Sequence, residues 1–429
     1  MTELSPQQRD ALDAIARWYA GRDMFSAEPF RLFGPAGTGK TTLAREVPAA
    51  LGLSWHGIQY GAYTGKAASV LRGKGCTPAS TLHSLVYKPQ ANAETKRKLE
   101  DAKREWDELS RYPSSDQTPE ERKRHAELEG EIEALEKEAR TIGWVWNPDS
   151  PLADASLLIL DEVSMVDAKL AADIERFDVP VLVLGDPEQL EPVGGEGYYT
   201  MAEPDYALSE IHRQALESPV LELATRIRTS TDRRLGLVPD ELAPRRWEDA
   251  MAADQVLVWK NATRWNMINN MRKRLDRPDG QVVPGDRVMC LTNNKDLGVF
   301  NGQQFDVLEA TPGPLGPDLL VRDDSGAERR ILAFADGFQG VEQEKAAKAR
   351  YDGGKGNRML ATFANAITVH KAQGSEWPSV YVVNEAQDLM ETTAGRRGLT
   401  GGVTEARRWL YTAVSRASDT VTVTRPRSR

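Results

Sequence analysis

A glycine-rich loop set between a strand and a helix constrains this chain more than any other feature. Gly34, Pro35, Ala36, Gly37, Thr38, Gly39, Lys40, Thr41 and Thr42 follow the apolar stretch Phe30–Phe33 and lead into "TTLAREVPAAL", a helix-like run ended near Gly52. The spacing Gly34-x4-Gly39-Lys40-Thr41 is that of a Walker A loop. Glycines let backbone N–H groups turn inward around phosphates, Lys40 reaches the β- and γ-phosphates, and the Thr41 hydroxyl ligates Mg²⁺. The helix N-terminus adds its dipole to the attraction for an anion. A strand before the loop and a helix after it call for an α/β fold.

A nucleotide-hydrolysing site needs carboxylates as well, and "LLILDEVSM" (Leu157 to Met165) supplies them at the end of a buried, parallel-type strand. Asp161 is placed to hold Mg²⁺ through water, and Glu162 to orient and deprotonate the attacking water. A third apolar strand, Val179 to Asp186, runs into a loop carrying Gln189, at the strand end where α/β sheets bind ligands. A chance Gly-rich turn, or two solvated acids after a core strand, is ordinary in isolation. Together in this order they imply ATP hydrolysis with Mg²⁺.

Composition bounds the rest. A chain of 429 residues calls for two or more cores, and 40% hydrophobic content is enough to bury them. No apolar run approaches the roughly 20 residues of a membrane span, and "MTELSPQQRD" lacks the apolar centre of a signal peptide. Cys76 and Cys290 stand far apart, without a disulfide framework, which fits a cytoplasmic location. The five histidines show no zinc-like spacing. A net charge of −9 means that any nucleic acid must be held by a local basic groove.

Eight strings in order resemble the motifs of superfamily 1 helicases of the Dda/RecD branch, superfamily 1B. They are "LSPQQRDAL", "AYTGKAA", "TLHSL", "LDEVSM", "LGDPEQLEPV", "LSEIHRQA", "ITVHKAQGSEW" and "YTAVSRA", with the Walker A loop between the first two. The resemblance implies Gln8 as adenine reader and Arg213 and Arg416 as cations on the γ-phosphate, contributed by a second lobe. It implies Thr64, Gly65, His83, Thr368 and His370 on the nucleic acid, with Gln373 and Gln189 linking strand to nucleotide. A lone arginine is ordinarily a surface residue, and His83 and His370 also fit a histidine core. Tyr63, where the family has proline, either stacks on a base or packs.

The implied fold is two RecA-like P-loop lobes, each interrupted. Residues 1–87 and 151–203 form the first lobe around an insertion at 88–150. Residues 204–280 and 357–429 form the second, around an SH3-like β insertion at 281–356. Within 88–150, Leu99, Ala102, Trp106 and Leu109 and then Leu128, Ile132, Leu135 and Ala139 make a heptad seam, and Thr118-Pro119-Glu120-Glu121 reads as a capping box. An antiparallel helical arm over 94–140 follows, where relatives carry a compact β-pin. It is a surface for a protein partner, a fork guide or a solvated spacer, and Trp144 or Trp146 behind it either meets the fork or packs. In the second lobe a basic helix starts near Asn261 or Thr263, with Arg264, Arg272, Lys273 and Arg274 flanking a nucleic-acid path or solvated. Asn301-Gly302 reads as a type I′ hairpin turn, and residues 340–358 read as a mobile, partly basic stretch.

The resemblance implies a monomeric ATP-driven DNA helicase, moving 5′→3′ on single-stranded DNA and opening a DNA fork, without a membrane. The alternatives are an RNA helicase or a translocase that does not unwind. A P-loop kinase needs none of the later motifs, and a non-catalytic scaffold sits badly with intact Lys40, Asp161 and Glu162.

Overall fold

The structure, a computed structural model, describes residues 4–22, 28–90, 93–110, 118–140, 143–192, 197–210, 218–294, 296–351 and 357–426. The first lobe is built on six parallel strands: β1 (Phe30–Phe33), β2 (Ile58–Ala62), β3 (Ala79–Thr81), β6 (Leu157–Asp161), β7 (Val181–Gly185) and β8 (Tyr206–Ala207). Their order is β3-β2-β6-β7-β1-β8. Leu157–Leu160 and Val181–Leu184 are buried throughout, as strands covered on both faces require. Among the covering helices are α1 (Pro6–Ala20), α2 (Lys40–Ala50), α3 (Gly65–Gly73), α4 (Leu82–Val86) and α7 (Ala168–Glu175). Because the strands are parallel, their C-terminal ends share one edge. The Walker A loop after β1, Thr64 after β2, Asp161 ending β6 and Gln189 after β7 therefore gather there.

The expected lobe border at 204 falls too early. β8 pairs with β1, and Leu208 N–H donates to Phe33 C=O at 2.7 Å, with its side chain in the first lobe's core. A two-residue strand carries no periodic signal by which it could be assigned.

The insertion leaves and returns through a ribbon of β4 (Tyr87–Gln90) and β5 (Gly143–Trp146), antiparallel with Tyr87 opposite Trp146. Beyond it stand α5 (Ala93–Ser110) and α6 (Pro119–Arg140), packed as the expected hairpin. The capping box forms: Glu121 N–H donates to Thr118 Oγ1 at 3.2 Å, and Thr118 N–H donates to Glu121 Oε2 at 2.7 Å. Ala102 and Leu128 bury the seam, and Trp106 stacks on His125 at 5.1 Å. Trp146 packs, its Nε1 donating to Asp173 C=O and its ring covered by Arg176 at 4.0 Å; Trp144 is 49% exposed and left free to meet a partner.

The second lobe carries four parallel strands, β9 (Gln255–Val258), β16 (Ala366–Thr368), β17 (Trp377–Val382) and β18 (Ala417–Val423), ordered β16-β9-β17-β18. Its insertion is a six-stranded sheet, β14-β13-β12-β11-β10-β15, from β10 (Arg287–Cys290), β11 (Gln304–Thr311), β12 (Asp318–Asp323), β13 (Glu328–Ala333), β14 (Arg358–Met359) and β15 (Ala361–Phe363). It therefore runs past the expected end at 356: an apolar run such as "MLATF" does not reveal which sheet it joins, and β15 pairs with β10.

Three further expectations are corrected. Only Gly302 takes a positive φ, +87°, and Phe300 C=O accepts from Gln303 N–H at 3.0 Å, so the turn is not type I′. Val341–Tyr351 is a helix, docked through Glu344, which accepts from Arg264, Trp265 Nε1 and Thr362 Oγ1; residues 352–356 of the same stretch lie outside the described residues. The basic helix, Asn261–Arg274, turns Arg264 and Arg272 inward. Arg272 pairs with fully buried Asp286, which Arg277 also reaches at 2.7 Å. Buried guanidiniums need a paired carboxylate, and sequence alone does not say where it is.

Asp286→Ala strands two guanidiniums and should destabilise the fold by about 3–5 kcal/mol. Chemical denaturation of the variant beside wild type measures this, and a change under about 1 kcal/mol contradicts it.

Candidate functional site: two cavities joined at one peptide

Gly37 and Gly39 take left-handed φ values of +83° and +76°, which let the Walker A loop curl over the N-terminus of α2. Lys40 Nζ donates to Pro35 C=O at 2.9 Å and also to Gly34 C=O, the loop's own carbonyls. Thr41 Oγ1 donates to Asp161 Oδ2 at 2.9 Å, so hydroxyl and carboxylate already stand side by side. A cavity of about 430 Å³ opens here, lined by Ala36, Gly37, Gly39 to Thr42, Asp161, Glu162 and Gln189 from the first lobe and by Ser375, Glu376 and Arg416 from the second.

Gly34, Pro35 and Thr38 shape the loop from beneath. A Cβ on Gly34 would stand 2.8 Å from Leu208 C=O, and Thr38 Oγ1 donates to Pro35 C=O at 2.9 Å. Gln8 is buried against the same loop: its Nε2 donates to Thr38 C=O at 3.1 Å, and its Oε1 caps α1 by accepting from Ser5 N–H. Arg213 lies outside the described residues.

Arg416 is buried rather than a surface arginine. It donates to the Thr412 and Ser375 carbonyls and to Ser415 Oγ, and its Nη1 stands 3.7 Å from Glu162 Oε1. Burial in the cleft pushes the Glu162 carboxyl above its ordinary range, Arg416 opposes that shift, and Asp161 adds to it. A carboxyl raised in this way has the character of a proton acceptor.

Thr64, Gly65, His83, Thr368, His370 and Gln373, far apart in sequence, all line a second cavity of about 400 Å³. Thr64 caps α3, accepting from Ala67 N–H at 3.1 Å, so the helix N-terminus faces this space. His83 is exposed, its ring 5.8 Å from those of Tyr63 and Tyr87, which sets the core-histidine reading aside. Desolvation lowers the pKa of both His83 and His370, against the pull of Asp167 and Glu405 respectively, so both tend to neutral donors. Sequence reasoning missed Lys66, Asn301 and Lys371 on the same wall. Lys371 is held down to about 8, chiefly by burial and next by Lys348, and donates to Asn301 Oδ1 at 2.8 Å. "TVHKAQG" contained that lysine; nothing in the sequence placed Asn301 beside it.

The Leu190 peptide links residues that line the two cavities. Gln373 Nε2 donates to its carbonyl at 3.1 Å, and its N–H donates to Thr412 Oγ1 at 3.0 Å. Gln189, one residue back, lines the first cavity, and Gln373 lines the second. The Oε1 atoms of both glutamines are buried without a hydrogen-bond partner. Tyr411 also spans the lobes, donating to Asp186 and accepting from Ala36 N–H at 3.2 Å. Gly374 (φ +74°) lets the lobes touch, since a Cβ there would stand 2.7 Å from Ala67 Cβ.

A family profile described as the AAA domain matches residues 3–240, more than half of the chain. The chain belongs to the AAA domain family. Residues 363–424 match the UvrD-like helicase C-terminal domain. The ATP-dependent RecD2 DNA helicase of Deinococcus radiodurans is 29% identical over 299 residues, 62% of this chain and 36% of that relative. The chain thus spans about a third of its length. Among solved structures, the Bacteroides Pif1 helicase with ADP-AlF3 and single-stranded DNA has a TM-score of 0.53 at 18% identity, covering 99% of this chain and 92% of that one. The Candida albicans Pif1 helicase has a TM-score of 0.50 at 18% identity, covering 99% and 95%. These likenesses bear out the two-lobed RecA-like fold and the resemblance to superfamily 1B helicases of the Dda/RecD type.

The cleft electrostatics give a direct expectation. Carboxyl titration by NMR should show Glu162 protonating above the ordinary value of about 4.3. Arg416→Ala should move it higher still, because the cation that opposes the shift is gone; a fall or no change contradicts the geometry.

Proposed function

We propose that this AAA-domain chain is an ATP-dependent DNA helicase that moves 5′→3′ along single-stranded DNA. The observation carrying the proposal is the Leu190 peptide: two residues of the second lobe, Gln373 and Thr412, grip a first-lobe segment whose neighbour Gln189 lines the phosphate-binding cleft, while Gln373 itself lines a second, histidine- and lysine-lined cavity. A kinase needs an acceptor pocket beside its P-loop; it has no use for that linkage. The RecD2 relative, an ATP-dependent DNA helicase by name, supports the same reading.

In this reading phosphates draw Lys40 off the Gly34 and Pro35 carbonyls. The paired Thr41 hydroxyl and Asp161 carboxylate suit Mg²⁺, a hard cation that prefers oxygen ligands and would neutralise charge on the phosphates. Glu162 takes the proton of the attacking water, Arg416 stabilises charge on the transferred phosphoryl group, and Gln189 orients the reacting groups. Arg213 is proposed for a second cation on sequence grounds alone. Thr64, Gly65, His83, Thr368, His370 and Gln373 contact the backbone of the strand without reading bases. Tyr87, which opens the β4–β5 ribbon, lies 5.8 Å ring to ring from His83 on the cavity wall, and this supports the reading that the ribbon and the arm beyond it meet a blocked second strand.

ATP hydrolysis should rise on adding single-stranded DNA, and Gln373→Ala should remove that rise while basal hydrolysis remains. Arg416→Ala should lower turnover by about 10³. Unwinding of duplexes with 5′ or 3′ tails, in DNA and RNA versions, tests polarity and polymer. Activity on 3′-tailed substrates alone rejects the direction, preference for RNA rejects the polymer, and hydrolysis indifferent to any polymer rejects the motor.

The arm generates a separate expectation. Replacing 94–140 by a short Gly/Ser linker should leave a folded enzyme with DNA-stimulated ATPase, yet reduce unwinding or lose a protein partner. Both activities measured on one preparation decide it; loss of ATPase in the folded variant would make the arm part of the engine.

A further inference from the structure

The helix Ala386–Val414 is broken at Gly398, whose φ of +75° and ψ of 171° end one helical segment and begin another. Gly402 permits the bend, because a Cβ there would stand 3.1 Å from Ala394 N and closer still to Met390 C=O. The second segment therefore offers a new N-terminus around Leu399 to Gly402, whose first N–H groups have no partners within the helix.

Beside this N-terminus lies a cavity of about 420 Å³, lined by Thr393, Arg396, Arg397, Thr400 and Arg408 among others. Thr393 is 1% exposed, and its hydroxyl has no hydrogen-bond partner among the described residues; neither does Arg408 Nε. A hydroxyl buried without a partner is unfavourable unless a group in the adjoining space bonds to it. Arg397 and Arg408 share Glu191, whereas Arg396 has no carboxylate partner among the described residues. Counting Glu405 as well, three guanidiniums face two carboxylates, and the helix N-terminus tips the balance further towards an anion. His370 lines this cavity and the candidate nucleic-acid cavity alike, so the two spaces meet at one side chain.

We propose that this cavity holds a backbone phosphate of the same single strand, beyond His370, between the Glu191 loop and the broken helix. The inference rests on the nucleic-acid reading above. Arginine, threonine hydroxyls and a helix N-terminus recognise phosphate without regard to base, as a moving strand requires. The site is separate from the central track, so it engages only strands long enough to pass His370.

Binding of oligothymidylates from roughly 4 to roughly 16 nucleotides, each titrated with salt, tests this. Short strands should bind wild type, Arg396→Ala and Thr393→Val equally. Above a threshold length wild type should gain affinity, and both variants should lose that gain, about tenfold at low salt, with the salt slope for Arg396→Ala shallower by about 0.7. Thr393→Val preserves shape and removes an unpartnered hydroxyl, so its thermal midpoint should not fall. Inorganic phosphate should compete with the gain for long strands only. Equal binding by all three proteins at every length overturns the proposal, as does equal weakening at every length. A phosphate response in Arg396 without length dependence assigns the cavity to a free anion and overturns it too. Failure of wild type to bind any strand instead sinks the nucleic-acid reading, and this proposal with it.

Discussion

Leu190 belongs to the first lobe by sequence and to the second by packing. Its side chain is buried among Leu257, Ile367, Trp409 and their neighbours, while its peptide is held by Gln373 at one end and Thr412 at the other. Gln189 precedes it and points into the nucleotide cleft. Any shift of the second lobe must therefore carry the β7 loop with it, because a buried peptide whose donor and acceptor are both satisfied cannot release them cheaply. Each bond contributes a net of about 0.5–1.5 kcal/mol. Coupling between distant sites commonly amounts to about 1–3 kcal/mol, so two or three such bonds suffice to transmit the state of one cavity to the other.

The β insertion reinforces this arrangement from the far side. Lys66 pairs with Asp324 in the turn between β12 and β13, and a Cβ on Gly65 would collide with Phe300. Lys66 also lines both principal cavities. The second lobe and its insertion thus bracket the N-terminus of α3. The second cavity is lined from three elements of unrelated sequence position: the α3 cap, the Thr368–Gln373 segment and the Asn301–Gly302 turn.

Charge explains why the chain can be acidic overall and still be suited to a polyanion. The arginines that look most available in sequence are taken up internally, Arg264 by Glu344 and Arg272 by Asp286. What remains at the second cavity is a few groups of tuned character: Lys371, whose burial disfavours its ammonium and holds it down to about 8, and histidines held towards neutrality.

The local parts were legible in the sequence because local physics writes them. A Walker A loop demands its glycines at fixed offsets. A buried parallel strand such as Leu157–Asp161 must be apolar throughout and end at its carboxylates. The capping box at Thr118 and the seam through Ala102 and Leu128 depend only on near neighbours. What tertiary structure alone decided is everything that depends on a partner distant in the chain. It set Gln8 on the Thr38 carbonyl of the Walker A loop, and it buried Arg272 on Asp286. It gave β8 to the first sheet and β15 to the inserted one, and it set Asn301 beside Lys371. A side chain's type fixes what it can bond to, but only the fold fixes what stands within about 3 Å of it.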